Sequence, residues 1–182
     1  MSDLKVSKTQ IPDLYVIDLD LREDDRGYFK ENYQKEKLEA LGLPHFEICQ
    51  NNVSYNKDIG ATRGLHAEPW EKYVSITNGK AFCAWVDLRK GPTFGQTFTL
   101  TLTPDKAVFV PRGVANGYQS LEEDTVYTYL VNDFWSMDKK YQAVNLFDLD
   151  LNISWPIPRE ESILSDKDKA NPMLSEIRPM EF

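Results

Sequence analysis

The stretch Lys72-Tyr-Val-Ser-Ile-Thr-Asn-Gly-Lys-Ala-Phe-Cys-Ala-Trp-Val-Asp-Leu88 carries the pattern that decides the fold. Its two halves, residues 72–77 and 81–88, are rich in β-branched and aromatic residues, as is typical of β-strands. Asn78-Gly79 lies between them, and Asn-Gly suits a type I′ turn, in which both central residues have positive φ. The stretch therefore predicts two strands joined by a tight hairpin turn.

Runs of the same kind recur on both sides of this stretch, bounded by Gly, Pro, Asn or Asp. One helix is predicted over residues 33–41, because this run is rich in helix formers and is stopped by Gly42 and Pro44. Many short strands at regular spacing indicate an all-β sandwich or barrel, and a jelly roll is one standard form of it. The predicted strands are 13–20, 46–55, 72–77, 81–88, 96–103, 107–110 and 125–131.

Length and composition favour a single globular domain. The 182 residues are 41% hydrophobic and 12% aromatic, which suffices for a sizeable core and makes intrinsic disorder improbable. After Asn152 the chain becomes Pro-rich and polar. We therefore expect one domain over residues 1–182, with a core over about 10–157 and a C-terminal packing segment over 158–182.

The charge balance and the absence of long apolar runs exclude several classes of partner. A net charge of -8 opposes binding to nucleic acid, although a few Arg and Lys residues can still hold a small anion. No run approaches the roughly 20 apolar residues of a membrane span, and the N-terminal stretch is not typical of a signal peptide. Cys49 and Cys83 lie in apolar runs and are predicted to be buried thiols. A cytoplasmic protein is expected.

The two histidines narrow the search for a general base near neutral pH. His45 follows Pro44 in a predicted loop and is expected to be solvated. His66 lies three positions after Arg63 in a strand-like segment, so the two side chains share a pocket only if a bulge or bend occurs near Gly64. Taken alone, His66 is better explained as a hydrogen-bonded, half-buried histidine.

Polar and aromatic residues elsewhere favour a pocket around His66. Gln50, Asn52 and Ser54 alternate and so share one strand face, which lines a pocket if the strand is an inner one; a solvated outer face is the commoner case. Lys72 opens a strand, where a buried ammonium is costly without an anionic partner. The other candidates are Arg26, beside aromatic residues in a loop-to-strand segment, and Tyr127 and Tyr129, which alternate with apolar residues.

The motifs of several enzyme classes are absent from the sequence. Neither a dinucleotide-binding glycine motif, nor a P-loop, nor a serine nucleophile elbow occurs. A metal-binding double-stranded β-helix typically uses two or three histidines with a carboxylate, and no second histidine lies near His66. We therefore expect neither a metal nor another cofactor.

Taken together, these segments resemble the dTDP-4-dehydrorhamnose 3,5-epimerase family, metal-free enzymes of the cupin jelly-roll superfamily. The resemblance implies an all-β double-stranded β-helix with one or two short helices and an irregular C-terminal segment. Segments 63–72 and 129–135 look like the variant found in Gram-positive rhamnose pathways. The matching pieces, in the family's order, are 25–31 (DRGYFKE), 50–54 (QNNVS), 63–66 (RGLH), 72–74 (KYV), 86–89 (VDLR), 91–95 (GPTFG), 109–118 (FVPRGVANGY), 155–156 (WP) and 164–168 (LSDKD).

The resemblance implies an isomerase that inverts C3 and C5 of dTDP-4-keto-6-deoxy-D-glucose, giving dTDP-4-keto-L-rhamnose for dTDP-L-rhamnose and cell-wall polysaccharide synthesis. The C4 ketone of this sugar acidifies both C–H bonds. By carry-over, His66 is the base and Asp168 orients it. Lys72 stabilises the enolate, and Tyr129 returns a proton on the opposite face.

The resemblance also implies binding residues and a homodimer in which the nucleotide site is shared between subunits. Arg63 and Arg26 are expected to hold the pyrophosphate, since a guanidinium fork suits phosphate oxygens. Phe29 is expected to pack on the thymine ring. The residues expected to contact sugar or nucleotide are Glu31, Gln50 and Asn52.

Two positions depart from the family's usual residues. Asn116 stands where a histidine is common, and Trp135 where a tyrosine is common. Both are expected to contact the substrate, and both changes could alter whether one or two carbons are inverted. A single-centre epimerase of another 4-keto-deoxysugar is therefore an alternative. A non-catalytic nucleotide-sugar binding module and a metal-dependent cupin oxygenase or isomerase are the further hypotheses.

Overall fold

The computed structural model describes residues 4–139 and 141–182. Its two α-helices are α1 (Lys35–Ala40) and α2 (Asp166–Lys169), and 3-10 turns span Leu149–Leu151, Arg159–Glu161 and Leu174–Glu176. Its strands are β1 (Lys5–Lys8), β2 (Tyr15–Asp18), β3 (Leu21–Asp24), β4 (Gly27–Lys30), β5 (Gln50–Asn56), β6 (Thr62–Ala67), β7 (Lys72–Asn78), β8 (Ala81–Asp87), β9 (Thr97–Leu102), β10 (Lys106–Val110), β11 (Val114–Ser120), β12 (Thr125–Val131) and β13 (Gln142–Ala143).

Two antiparallel sheets form the body of the protein. The first sheet has the order β1-β2-β10-β7-β12-β5, and the second sheet has the order β13-β6-β11-β8-β9. Strands β3 and β4 pair only with each other as a separate hairpin. From β5 to β13, consecutive strands alternate between the sheets except at the β8–β9 pair, which is the pattern of a jelly roll. The predicted all-β jelly roll is confirmed.

The main core lies between the inner faces of the two sheets. Val74 and Ile76 from β7 pack with Cys83 and Trp85 from β8, and all four are fully buried. Alternate residues of a strand point to opposite faces, so Lys72 lies on the same inner face as Val74 and Ile76. This alternation turns a lysine at the start of β7 toward the interior.

Separate apolar layers cover the outer faces. Leu38 of α1, with Phe46, packs against Tyr73 and Phe109 on the first sheet. The outer face of the second sheet is covered by the chain after β13, whose partly buried members include Trp155, Leu164, Leu174 and Ile177. The predicted short turns of the C-terminal segment therefore pack on one sheet, and α2 lies within that layer.

The predicted hairpin at Asn78-Gly79 is wrong. Strand β7 belongs to the first sheet and β8 to the second, so the chain crosses between sheets at this turn. Gly79 has φ +77°, but Asn78 is not among the non-glycine residues with positive φ, which excludes a type I′ turn. A Cβ at Gly79 would lie 2.4 Å from the Oγ1 of buried Thr125. Glycine is needed here for close packing.

Other local predictions had mixed outcomes. The helix forms within the predicted range, capped by Gln34, whose side chain accepts a hydrogen bond from the Lys37 N–H. The strand predicted over 46–55 begins only at Gln50, and Cys49 is exposed, not buried; Cys83 is buried as predicted. The strands that were not predicted are β1, β3, β11 and β13, whereas β4 lies in the segment predicted to run from a loop into a strand.

Candidate active site

A cavity of about 590 Å³ opens between the two sheets. A second cavity of about 520 Å³ adjoins it, and the two share His66, Glu68, Tyr129 and Lys167. All four residues predicted to be catalytic line the first cavity. Its polar and aromatic lining comprises Ser54, Thr62, Arg63, His66, Glu68, Lys72, Asn116, Tyr118, Tyr127, Tyr129, Ser165, Lys167 and Asp168.

A bulge in β6 brings Arg63 and His66 to the same cavity. His66 pairs with Asn116 of β11 and Arg63 pairs with Tyr118, so two residues of β6 lie opposite a single residue of β11. The bulge includes Gly64, with φ +121°, and a Cβ there would lie 2.5 Å from the Cα of Gly117. The predicted irregularity near Gly64 is therefore confirmed.

His66 and Asp168 form a hydrogen-bonded pair. The Nε2 of His66 lies 2.7 Å from the Oδ1 of Asp168, whose side chain is 6% exposed. Ser165, the N-cap of α2, donates its hydroxyl to the other carboxylate oxygen at 3.0 Å. Burial alone would raise the pKa of Asp168, but the bonds from His66, Ser165 and the Gly64 backbone together hold that pKa below its ordinary value. An anionic Asp168 fixes the imidazole and leaves its other nitrogen able to accept a proton.

The ammonium of Lys72 is buried between two partners. Its side chain is 5% exposed, and its Nζ contacts a carboxylate oxygen of Glu68 and donates to the Oδ1 of Asn116. Asn116 in turn donates from Nδ2 to the Tyr127 hydroxyl at 3.2 Å. The anionic partner that a buried Lys72 requires is thus Glu68, from the same chain.

Tyr129 enters the cavity from the first sheet, whereas His66 enters from the second. Its ring centroid lies 6.1 Å from that of Tyr127, which stacks on Tyr118 at 4.0 Å. Burial raises the pKa of Tyr129, the negative charge of Glu68 raises it further, and Arg63 opposes the shift. The phenol therefore keeps its proton throughout the neutral pH range.

Several predicted binding residues surround these groups. Arg63 lines the first cavity and donates from Nε to the Oδ1 of Asn56 at 3.1 Å. Gln50 donates to Asn52 at 2.6 Å, and both line the second cavity, as the alternation in β5 predicts. Trp135 also lines the second cavity, where its ring stacks on Tyr141 with the centroids 6.3 Å apart.

Three predicted binding residues lie apart from His66 within one chain. Arg26, Phe29 and Glu31 belong to the β3–β4 hairpin and the residue that follows it. Arg26 pairs with Asp24 at 2.5 Å, and Phe29 is 65% exposed. Phe29 and Glu31 line a different cavity, of about 490 Å³. A single chain therefore does not bring this group to the His66 cavity.

Two charged residues of the site were not singled out from the sequence. Glu68 faces Lys72, and Lys167 lines both cavities. Glu68 precedes Lys72 by four positions, and Lys167 directly precedes Asp168. Opposite charges four positions apart indicate a side-chain pair on a helix, but residues 68 to 72 run from a bend into a strand, where this spacing does not by itself indicate a contact.

Among residues 4–139 and 141–182, no group of three or more His, Cys, Asp or Glu side chains is placed to hold a metal ion. Within these ranges, too, no helix has both the length and the apolar character that a bilayer crossing demands.

Comparison with known proteins identifies the family. The family model of dTDP-4-dehydrorhamnose 3,5-epimerase matches residues 8–176. A curated relative, an RmlC homolog of Streptococcus pyogenes, is 47% identical over 178 residues, covering 94% of this chain and 89% of the relative.

Solved structures agree with this match. RmlC from Streptococcus suis, in complex with dTDP-D-xylose, is 43% identical with a TM-score of 0.93, covering 98% of this chain and 95% of that one. A dTDP-4-dehydrorhamnose 3,5-epimerase from Bacillus anthracis, with TDP and PPi bound, is 36% identical with a TM-score of 0.85, covering 93% of this chain and 99% of that one. The chain therefore belongs to the dTDP-4-dehydrorhamnose 3,5-epimerase family.

Proposed function

We propose that this protein inverts C3 and C5 of dTDP-4-keto-6-deoxy-D-glucose to give dTDP-4-keto-L-rhamnose. One observation carries the proposal: a histidine–carboxylate pair, a buried ammonium and a protonated phenol line one cavity from two opposing sheets. Proton abstraction next to a ketone, followed by return of a proton from the other side, requires these groups and no cofactor.

His66 acts as the base in this proposal. The imidazole nitrogen that is not bonded to Asp168 takes the proton from C3 or C5, and the resulting imidazolium is stabilised by the carboxylate 2.7 Å away. Because Asp168 is buried and its pKa is depressed, it remains the acceptor and does not itself take the proton. The same pair serves both carbons if the sugar turns within the cavity between the two steps.

Lys72 stabilises the enolate. Removal of the C–H proton places negative charge on the C4 oxygen, and a buried, pre-positioned ammonium lowers the energy of that charge directly. Removal of a single donor that points at developing charge typically lowers the rate about 10²–10³-fold. Lys72 is therefore the electrophilic group of the proposal.

Tyr129 returns the proton on the opposite face. It projects from the first sheet while His66 projects from the second, so a sugar held between them meets base and acid on different sides. The raised pKa of the phenol supports its role as a proton donor. Inversion follows because the proton leaves toward one sheet and arrives from the other.

The nucleotide is bound by cations and aromatic rings around the two cavities. Arg63 and Lys167 are the proposed pyrophosphate partners, since both line the first cavity and neither has a carboxylate partner among the salt bridges of the described residues.

We further propose a homodimer, in which the β3–β4 hairpin of a second copy brings its Arg26 and exposed Phe29 to the nucleotide. The position of this hairpin away from His66 supports that arrangement. Free thiols support a cytoplasmic location.

A single-centre epimerase is the second candidate, because Asn116 and Trp135 both belong to the site. A non-catalytic binding module would not need the base, the ammonium and the acid together. Deuterium incorporation in D2O with dTDP-4-keto-6-deoxy-D-glucose separates the three. Deuterium at both C3 and C5, with dTDP-L-rhamnose formed once a reductase and NADPH are added, supports the proposal. Deuterium at one carbon supports the second candidate, and dTDP binding without exchange supports the module.

A further inference from the structure

Glu68 is the only acidic side chain besides Asp168 among the described residues that line the first cavity. Its side chain is 19% exposed, and a carboxylate oxygen contacts the Nζ of Lys72. Glu68 follows β6 and Lys72 opens β7, so the pair joins the second sheet to the first in the lining of the first cavity. A carboxylate in this place has no part in the proton transfers described so far.

Asn116 holds the other side of the same ammonium. Its Oδ1 accepts from the Lys72 Nζ, while its Nδ2 donates to Tyr127, so both ends of the amide are used within the protein. Asn116 also pairs with His66 across β6 and β11. Because both ends of the amide are bonded within the protein, its main role is to orient the lysine side chain and not to bind sugar.

We propose that Glu68 is a positioning residue for the epimerisation: with Asn116, it holds the Lys72 ammonium at the point where the C4 oxygen of the substrate acquires charge. This inference rests on the proposed function. A buried ammonium without a counter-charge tends to lose its proton, and a neutral amine stabilises an enolate poorly. Glu68 supplies that counter-charge, and Asn116 supplies direction without adding charge.

The same carboxylate acts on the proton donor. The negative charge of Glu68 contributes to the raised pKa of Tyr129, while Arg63 opposes it and Tyr118 adds to it. The remaining charged groups that line this cavity are His66, Lys72, Lys167 and Asp168. Loss of the Glu68 charge therefore favours deprotonation of the phenol, which reduces activity at alkaline pH.

The test is the pH dependence of turnover of dTDP-4-keto-6-deoxy-D-glucose by Glu68→Gln, which keeps the shape of the side chain and removes its charge. We expect kcat to fall about tenfold or more at the wild-type optimum, with little change in KM. The alkaline limb of the kcat profile should move down by about one pH unit. Glu68→Asp should recover part of the loss. Glu122→Gln is the matched control, because Glu122 forms an exposed pair with Lys80 and neither residue lines the cavity.

A double-mutant comparison of Glu68→Gln with Lys72→Met distinguishes a positioning role of Glu68 from a general structural effect. In a Lys72→Met background, assayed at the wild-type optimum where the Tyr129 phenol stays protonated, Glu68→Gln should reduce kcat by less than twofold, since the ammonium that Glu68 positions is gone. The inference is overturned if Glu68→Gln leaves the alkaline limb in place, or if its effect multiplies in full with that of Lys72→Met. Binding of dTDP confirms that each variant is folded. If Glu68→Gln does not fold, the same measurements are made on Glu68→Asp. An inactive wild-type enzyme would instead refute the proposed function.

Discussion

Replacing Asp168 with asparagine tests the histidine–carboxylate pair most directly. The change keeps the size and shape of a side chain that is 6% exposed, and it removes the negative charge 2.7 Å from His66. Neutral asparagine cannot stabilise the imidazolium that forms when His66 takes a proton. Its amide can also donate to the ring, which places the ring proton on the nitrogen that should act as the base.

The size of the loss follows from the geometry. A hydrogen bond to a charged group contributes about 1.5–3 kcal/mol, or about 10-fold to 150-fold in rate, and water cannot replace it at a buried position. The wrong ring tautomer adds to this, and comparable changes in other histidine–carboxylate pairs reduce rates by about 10⁴. We therefore expect the rate of deuterium incorporation from D2O to fall between about 10² and 10⁴-fold.

The matched control lies two residues earlier in the same helix. Asp166 is fully exposed and pairs with Lys169 at 3.1 Å, so Asp166→Asn makes the same chemical change without touching His66. Its exchange rate should equal that of the wild type. If Asp168→Asn exchanges within threefold of the wild type while binding dTDP normally, Asp168 does not support the base and the reasoning fails.

Three further predictions concern the acid, the fold and the pH dependence of stability. Tyr129→Phe should lower the rate of formation of inverted product by about 10²–10³-fold, while His66 still exchanges the proton that it removes. NMR detection of deuterium in the recovered substrate checks this exchange. Unchanged product formation would show that another residue is the acid. Gly79→Ala should reduce the free energy of unfolding by about 2–4 kcal/mol, because strain at φ +77° is added to a clash with buried Thr125. Gly42→Ala, at φ +94° with nothing within 4 Å, should cost only about 1 kcal/mol; equal costs in urea unfolding would contradict the packing argument. Because the pKa of Asp168 is depressed in the folded state, its contribution to stability is present above about pH 4 and is lost as the pH falls through the folded-state value. Asp168→Asn should therefore unfold with a shallower pH dependence on the acid side, and identical slopes would refute this.

The predictions that succeeded rest on local patterns. Period-two alternation placed Asn52 and Ser54 on one face of β5, and that face lines the cavities. Residues three positions apart in a regular strand point to opposite faces, so Arg63 and His66 could share a pocket only with a bulge between them. The pairing of β6 with β11 contains such a bulge. A lysine on the inner face of β7 required an anion. These arguments need only the neighbouring residues, so the sequence alone supports them.

The predictions that failed depend on which strands become neighbours. Asn78-Gly79 has the residues of a hairpin turn, yet the glycine serves close packing against Thr125, 46 positions later in the chain. Glu68 gains its role only because β6 and β7 lie in different sheets. Strand β3 is short, mostly charged and mostly exposed, so it lacks the apolar pattern that marks a strand. The roles given to Arg26, Phe29 and Glu31 remain predictions, since they require a second copy of the chain.

The placement of Asp168 in the layer that covers the second sheet has a consequence during protein synthesis. Strands β1 to β12 are complete at Val131, and by then His66, Lys72 and Tyr129 have all been made. Asp168 follows 37 residues later and reaches His66 only when the segment after Asn152 docks on the outer face of the sheet. A nascent chain with finished sheets thus has a base without its carboxylate. In the proposed mechanism, the carboxylate that supports proton abstraction therefore comes from the last layer to be added and not from the sheets themselves.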